Sequence, residues 1–200
     1  MKTFLTIRII KIMTFKKIWA MCIGLLLAAN VSAADCADWW LFDKACSNIS
    51  GIWNEGETGL LLSGYAWHNR STYDRDKIDN YNELAYGGGL SLYRALPNNN
   101  EEMIYAMMFS DSHSKPETHI GYAYMWYWNV LGPLKAGAGL TAGLFSRSDI
   151  GSYVPLPFAL PLVALKYDKV NLYATYIPGG SNNGNVLFLF PALITNQRLE

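Results

Sequence analysis

From residue 59 onward, large apolar side chains recur at every second position, and the residues between them are small rather than charged. Over residues 120–128, Tyr122, Tyr124, Trp126 and Trp128 share one face, while Gly121, Ala123, Met125 and Tyr127 share the other. Over residues 136–145, Gly137, Gly139, Thr141 and Gly143 alternate with Ala136, Ala138, Leu140, Ala142 and Leu144. Period two is the spacing of a β-strand. A strand in a soluble sandwich hides its large face in the core and shows polar groups to water. Here the second face is merely small, which suits bulk turned toward lipid and small residues turned toward an interior space. Similar segments occupy residues 60–68, 88–95, 103–109, 156–167, 170–177 and 186–193, so the pattern predicts an all-β fold, an eight-stranded antiparallel transmembrane barrel. Strands of about ten residues are what a tilted membrane-crossing strand requires.

Polar stretches separate these strands at residues 69–83, 97–102, 111–117, 146–152 and 179–184. Pro155, Pro157, Pro161 and Pro178 lie within or beside two consecutive strands. Each removes a ladder donor, and several together predict a seam left unzipped. Ahead of the barrel, Trp39, Phe42, Cys46, Ile49 and Trp53 fall at steps of three and four, drawing one apolar stripe along a helix. Such a helix either docks on its own domain or lies in a membrane interface, and the pattern supports both.

Composition adds compartment. The 200 residues, 51% apolar and 14% aromatic, suit one folded domain. The formal net charge of zero hides an asymmetry: five of the 16 basic side chains precede the first acid, Asp35, leaving 11 against 16 acidic ones beyond it. Lys16 and Lys17, then an apolar run, then Val31-Ser32-Ala33, read as a secretory signal peptide over residues 1–33, with Met13 an alternative start. The remaining segments are an amphipathic helix and linker at 34–58, the barrel at 59–195 and a tail at 196–200. A mildly acidic exported chain is no nucleic-acid binder. Cys36 and Cys46, if both on one helix, stand about 15 Å apart, beyond disulfide reach. They are expected as free thiols, and with no histidine near them zinc ligation is not expected.

Candidate chemistry is sparse. His68 ends the first strand and Asp111-Ser112 ends the third. Strands one and three run the same way in an up-and-down barrel, so all three residues reach one rim. An imidazole beside a hydroxyl and a carboxylate suits acyl transfer. No Gly-x-Ser-x-Gly elbow, phosphate loop or metal-spaced cluster occurs, so neither cofactor nor metal is expected. The glycine-rich inward face of strands four and five points to an empty apolar well.

An ordered set of segments then carries a resemblance: AWH at 66–68, YDRDKIDNYNE at 73–83, GGG at 87–89, YAM at 105–107, FSDS at 109–112, GLTAG at 139–143, YVPLPFALPL at 153–162, YIPG at 176–179 and NNGNV at 182–186. Together they resemble the PagP family of outer-membrane lipid A palmitoyltransferases. The resemblance implies a leading interfacial helix, a well that measures one acyl chain, and transfer of palmitate from a phospholipid to lipid A by a barrel acting as a monomer. It places the catalytic residues at His68, Asp111 and Ser112 and acceptor recognition at Lys77, whose charge suits lipid A phosphates. The floor of the well falls on Ala123, where the family has glycine, implying a chain of palmitoyl length or slightly shorter. Of the residues beside two lateral openings, Pro178 is kept, but the other pair is replaced by Ser63 and Ala85. The gating tyrosine is Ser181. The tail lacks the usual aromatic end residue. Two other readings remain open: a non-catalytic structural or adhesion barrel, and a lipid A deacylase or phospholipase using the same residues.

Overall fold

The computed structural model describes residues 40–195, so the expected signal peptide, Cys36 and the 196–200 tail lie outside the described residues. Helix α1 (Trp40–Glu55) comes first. Nine strand segments follow: β1 (Glu57–Leu62), β2 (Tyr65–His68), β3 (Gly87–Ala95), β4 (Glu101–Ser110), β5 (Pro116–Leu131), β6 (Leu134–Ser146), β7 (Leu156–Tyr167), β8 (Val170–Ile177) and β9 (Val186–Ile194). All pairings are antiparallel, in the order β1-β3-β4-β5-β6-β7-β8-β9-β2, and β1 also pairs β9. β1 and β2 are therefore one stave interrupted at Ser63-Gly64, and the sheet closes into the eight-stranded barrel that the periodicity predicts.

The expected facing holds strand by strand. Outside, Leu90, Ile120, Leu140, Val163, Leu165 and Leu193 stand exposed, while Met103, Met107, Ala123, Met125, Leu162 and Phe188 are buried within. An apolar outer belt around a closed sheet has satisfied its backbone internally and is suited to hydrocarbon rather than water.

The interior has two halves. Eight strands make a cylinder that side chains can ordinarily just fill. In the half beneath the 69–86 loop this does not happen, partly because an inward glycine lets a large ring lie along the wall. Tyr105 rests on Gly121, where any Cβ would meet its ring, and its hydroxyl bonds Thr141 Oγ1 at 2.8 Å. The other half is filled. Glu101 and Lys166 form an ion pair, Lys166 Nζ sits 5.5 Å from the Tyr127 ring centroid, and Asn171 Nδ2 donates to Tyr173 Oη at 2.9 Å. Tyr93, Tyr127 and Tyr173 are buried around them. The expectation of an apolar well thus holds for only part of the axis. Glu101 and Glu102 read as loop by their charge, but both are strand residues with cationic partners. Glu102 sits on the outer face, 1% exposed, paired with Arg94 and accepting from the Tyr122 hydroxyl at 2.8 Å.

Arg94 also anchors α1, lying against Gly51 and 3.7 Å from Glu55. The helix buries Ile52 completely, whereas Ile49 and Trp53 of the apolar stripe stay 45% and 49% exposed. The helix therefore docks and also presents apolar surface outward, which suits the interface. Cys46 is disulfide-bonded, which corrects the expected free thiol. That expectation required both cysteines on one helix, and Cys36 lies outside the described residues.

The two seams next to proline positions differ. β7 pairs β8 only from Leu162↔Thr175 to Tyr167↔Val170, so residues 156–161 have no ladder partner on β8. Thr175 Oγ1 donating to the Pro161 carbonyl at 2.7 Å caps the last rung. At the first stave, the Ser63 N–H donates to the Gly87 carbonyl at 3.2 Å and the Ala85 N–H to the Gly64 carbonyl at 3.0 Å. Proline could make neither bond, so Ser63 and Ala85 stitch that side shut.

The largely enclosed Glu101–Lys166 pair, its lysine side chain 19% exposed, makes a stability prediction. Glu101→Leu alone strands the ammonium and costs about 3–5 kcal/mol, whereas Glu101→Leu with Lys166→Met is near neutral or stabilising. Denaturant unfolding of the barrel in detergent checks this, with the double variant expected to unfold at or above the wild-type midpoint.

Candidate active site

Three peptide segments meet at the open end of the barrel. The 69–86 loop, which carries a single helical turn α2 (Arg75–Ile78), is held across the mouth by bonds to the other two. Asn82 N–H donates to the Ser112 carbonyl at 2.9 Å, and Asp74 and Asn182 exchange side-chain and backbone bonds at 2.8 and 2.9 Å. Tyr73 Oη donates to the Gly184 carbonyl.

Beneath the loop lies a cavity of about 610 Å³, a size in the range of about 300–1,000 Å³ usual for ligand pockets. Its rim is polar, with His68, Asp111, Ser112 and Arg147, and its wall is mostly apolar, with Met103, Met107, Phe109, Phe158, Leu160, Leu162, Phe188 and Phe190. Phe109, Phe188 and Phe190 stack successively at 4.9 and 5.4 Å, and Phe190 stacks on Tyr173 at 5.2 Å, where the polar half begins. The space is long, greasy and open at one end to a titratable cluster.

His68 is 2% exposed and held on both nitrogens. Nε2 is 3.0 Å from Ser112 Oγ, and Nδ1 is 3.1 Å from Glu83 Oε1. The same Glu83 oxygen accepts the His68 backbone N–H at 2.9 Å. Arg70 bonds both Glu83 oxygens and also the His68 carbonyl, at 2.6 Å. Hydrogen-bonded to Arg70, the Glu83 carboxyl is held far below the usual carboxylate range, so it is ionised at any working pH. The rings of Tyr81 and Tyr73 pack against the imidazole at 4.8 and 5.3 Å.

The three residues read from sequence are brought to one cavity, but not as one chain of contacts. Asp111 does not touch His68 through any bond the structure gives. Its Oδ1 accepts the backbone N–H groups of His113 and Lys115 at 2.9 and 2.7 Å, which folds the β4–β5 turn that carries Ser112. Its Oδ2 is buried without a hydrogen bond, with Arg147 at 3.7 Å. The strand ends at Ser110, and in the turn that follows both Asp111 and Ser112 line the cavity. Arg147 also reaches Glu117 at 3.3 Å and Asp149 at 2.7 Å, and Glu117 in turn bonds His119 Nε2 at 2.8 Å inside the wall.

Of the residues implied by resemblance, Lys77 is exposed on α2 and donates to the Asn182 carbonyl at 2.7 Å. Ala123 is fully enclosed and pairs in register with Met103 and Thr141, both of which line the cavity. Pro178 borders the cavity beside the unpaired part of β7, and Ser181 is exposed in the β8–β9 turn. Sequence reasoning missed Glu83, Arg70 and Arg147. Glu83 was within the quoted loop motif, yet nothing local marks which of that loop's acids turns inward.

Residues 48–192 match the family described as antimicrobial peptide resistance and lipid A acylation protein PagP. A protein of Bordetella parapertussis named lipid A acyltransferase PagP is 47% identical over 166 residues, covering 82% of this chain and 91% of the relative. Proteins of the same name from Laribacter hongkongensis and Legionella pneumophila are 47% and 42% identical, covering 74% and 84% of this chain and 71% and 94% of the relatives. With a family match over most of its length and relatives this similar, the chain belongs to the PagP family of lipid A acylation proteins.

Proposed function

We propose that this barrel sits in the outer membrane and acts, as a monomer, as a lipid A acyltransferase, moving a palmitoyl or similar chain from a phospholipid to a lipid A hydroxyl. The observation that carries the reading is one cavity with an apolar wall that ends on a buried imidazole already bonded to a hydroxyl. A fatty chain fits the wall, and the ester it hangs from then lies level with His68. His68 Nε2 takes the proton of the acceptor hydroxyl as its oxygen attacks the ester carbonyl carbon. The proton passes to the departing lysophospholipid oxygen as the old C–O bond breaks, so no net charge or electron is left behind. Ser112 shares the Nε2 side and orients the acceptor, and Asp111 builds the turn that places Ser112.

Lys77, exposed at the rim, offers a cation to the acceptor's phosphates. Pro178 and the unpaired upper part of β7 support lateral entry through that seam, with Ser181 at its outer turn, whereas Ser63 and Ala85 bond across the opposite one. Ala123, at the level of Met103 and Thr141, sets the depth of the well. Its methyl group, where a glycine would leave room, supports a preference for palmitoyl or slightly shorter chains.

Two measurements test the reading. Mass analysis of lipid A from cells expressing the wild type shows an added acyl chain, and His68→Ala lowers that addition by about 10²–10⁴-fold, the scale of a general base. A structural barrel leaves lipid A unchanged in both strains, and a hydrolase removes mass rather than adding it. In the same spectra the wild type adds palmitoyl or slightly shorter chains, and Ala123→Gly shifts the distribution toward longer ones. Exclusive use of longer chains by the wild type contradicts the assignment of Ala123.

A further inference from the structure

We propose that Glu83, clamped by Arg70, is the positioning carboxylate of His68, so that the working chain is Ser112–His68–Glu83 and Asp111 stands outside it. The inference deepens the acyl-transfer reading and rests on it for its kinetic part.

The contacts leave little freedom. A neutral imidazole has one N–H and one bare nitrogen, and which is which follows from the partners. Glu83 is ionised and can only accept, so Nδ1 must carry the proton and donate to Oε1 across 3.1 Å. Nε2 is then bare and faces Ser112 Oγ at 3.0 Å, the state a general base needs. The carboxylate also takes the His68 backbone N–H, which fixes the ring relative to its own main chain. Arg70 grips both Glu83 oxygens, and Tyr65 Oη adds a further donor to Oε2. When the imidazole becomes positively charged during transfer, Glu83 lies against it as a fixed counter-charge.

The other charged or titratable groups near the ring do not compete. Tyr73 and Tyr81 contact it as rings. His113 packs on Tyr81 rather than on His68. Asp111 spends one oxygen on two backbone N–H groups, and its other oxygen lies toward Arg147.

The test compares Glu83→Gln, Glu83→Asp and Asp111→Asn in the full barrel, by steady-state transfer and by proton-nitrogen spectra of labelled histidine. The expected result is a fall in kcat of about 10²–10⁴-fold for Glu83→Gln with KM little changed, as for loss of an orienting carboxylate in a triad. The deshielded His68 Nδ1–H signal moves in Glu83→Gln, persists in Glu83→Asp, which keeps the charge, and is unchanged in Asp111→Asn. If Glu83→Gln fails to fold, Arg70→Gln serves instead, removing the clamp and lowering kcat with the same KM pattern. Wild-type kcat in both Glu83→Gln and Arg70→Gln, or a His68 signal disturbed by Asp111→Asn and not by changes at Glu83, overturns the assignment. A wild-type protein that transfers no chain but shows the Nδ1–H bond to Glu83 supports the positioning and overturns only the acyl-transfer reading.

Discussion

The structure depends on an incomplete filling of its own axis. Eight strands enclose a space that side chains can close, and where this barrel fills it, the Glu101–Lys166 pair and three tyrosines do so. Beneath the 69–86 loop the same space stays open, because Tyr105 lies along the wall over Gly121 and the stacked Phe109, Phe188 and Phe190 line one side without crossing. An apolar void is costly for a protein that nothing occupies, since its lining loses the packing contacts that a core would make. The void is intelligible as the place for a flexible apolar ligand, and the polar half below it then acts as a stop.

The proposed chemistry is confined to the open end for the same reason. Below the rim the wall is mostly apolar down to the plug, so under the proposed function a chain drawn inward by its tail brings its ester to rest at His68. The 69–86 loop completes that end in two ways. It is pinned to the β4–β5 and β8–β9 turns, which fixes the mouth, and through Glu83 it supplies the only carboxylate bonded to the imidazole among the described residues.

Much of the barrel was legible in sequence because period two is set by the pleat alone. Tyr122 to Trp128 against Gly121 to Tyr127 announced both faces, and strand direction alone placed His68 and Ser112 at one rim. What was not legible depended on contacts between distant segments. Glu101 and Glu102 looked like loop until Lys166 and Arg94, far along the chain or across the sheet, were seen to neutralise them. Glu83 is one of several acids in a polar loop, and its inward turn follows from bonds to Arg70 and His68 that no local pattern encodes. Asp111 is next to Ser112 in the chain, and adjacency does not reveal that its carboxylate bonds the His113 and Lys115 N–H groups of the turn. The helix stripe identified apolar residues but not that Ile52, outside the stripe, is the buried one among the helix side chains described.

The central claim is that a fatty tail descends the cavity to the level of Met103, Thr141 and Leu162. A phospholipid carrying a photoreactive diazirine at the last carbon of its acyl chain, crosslinked to the barrel in bilayers and mapped by peptide mass spectrometry, tests it most directly. Crosslinks on β4, β6 and β7 at that level are the predicted result. Crosslinks found only on the outward-facing residues of the belt would contradict it.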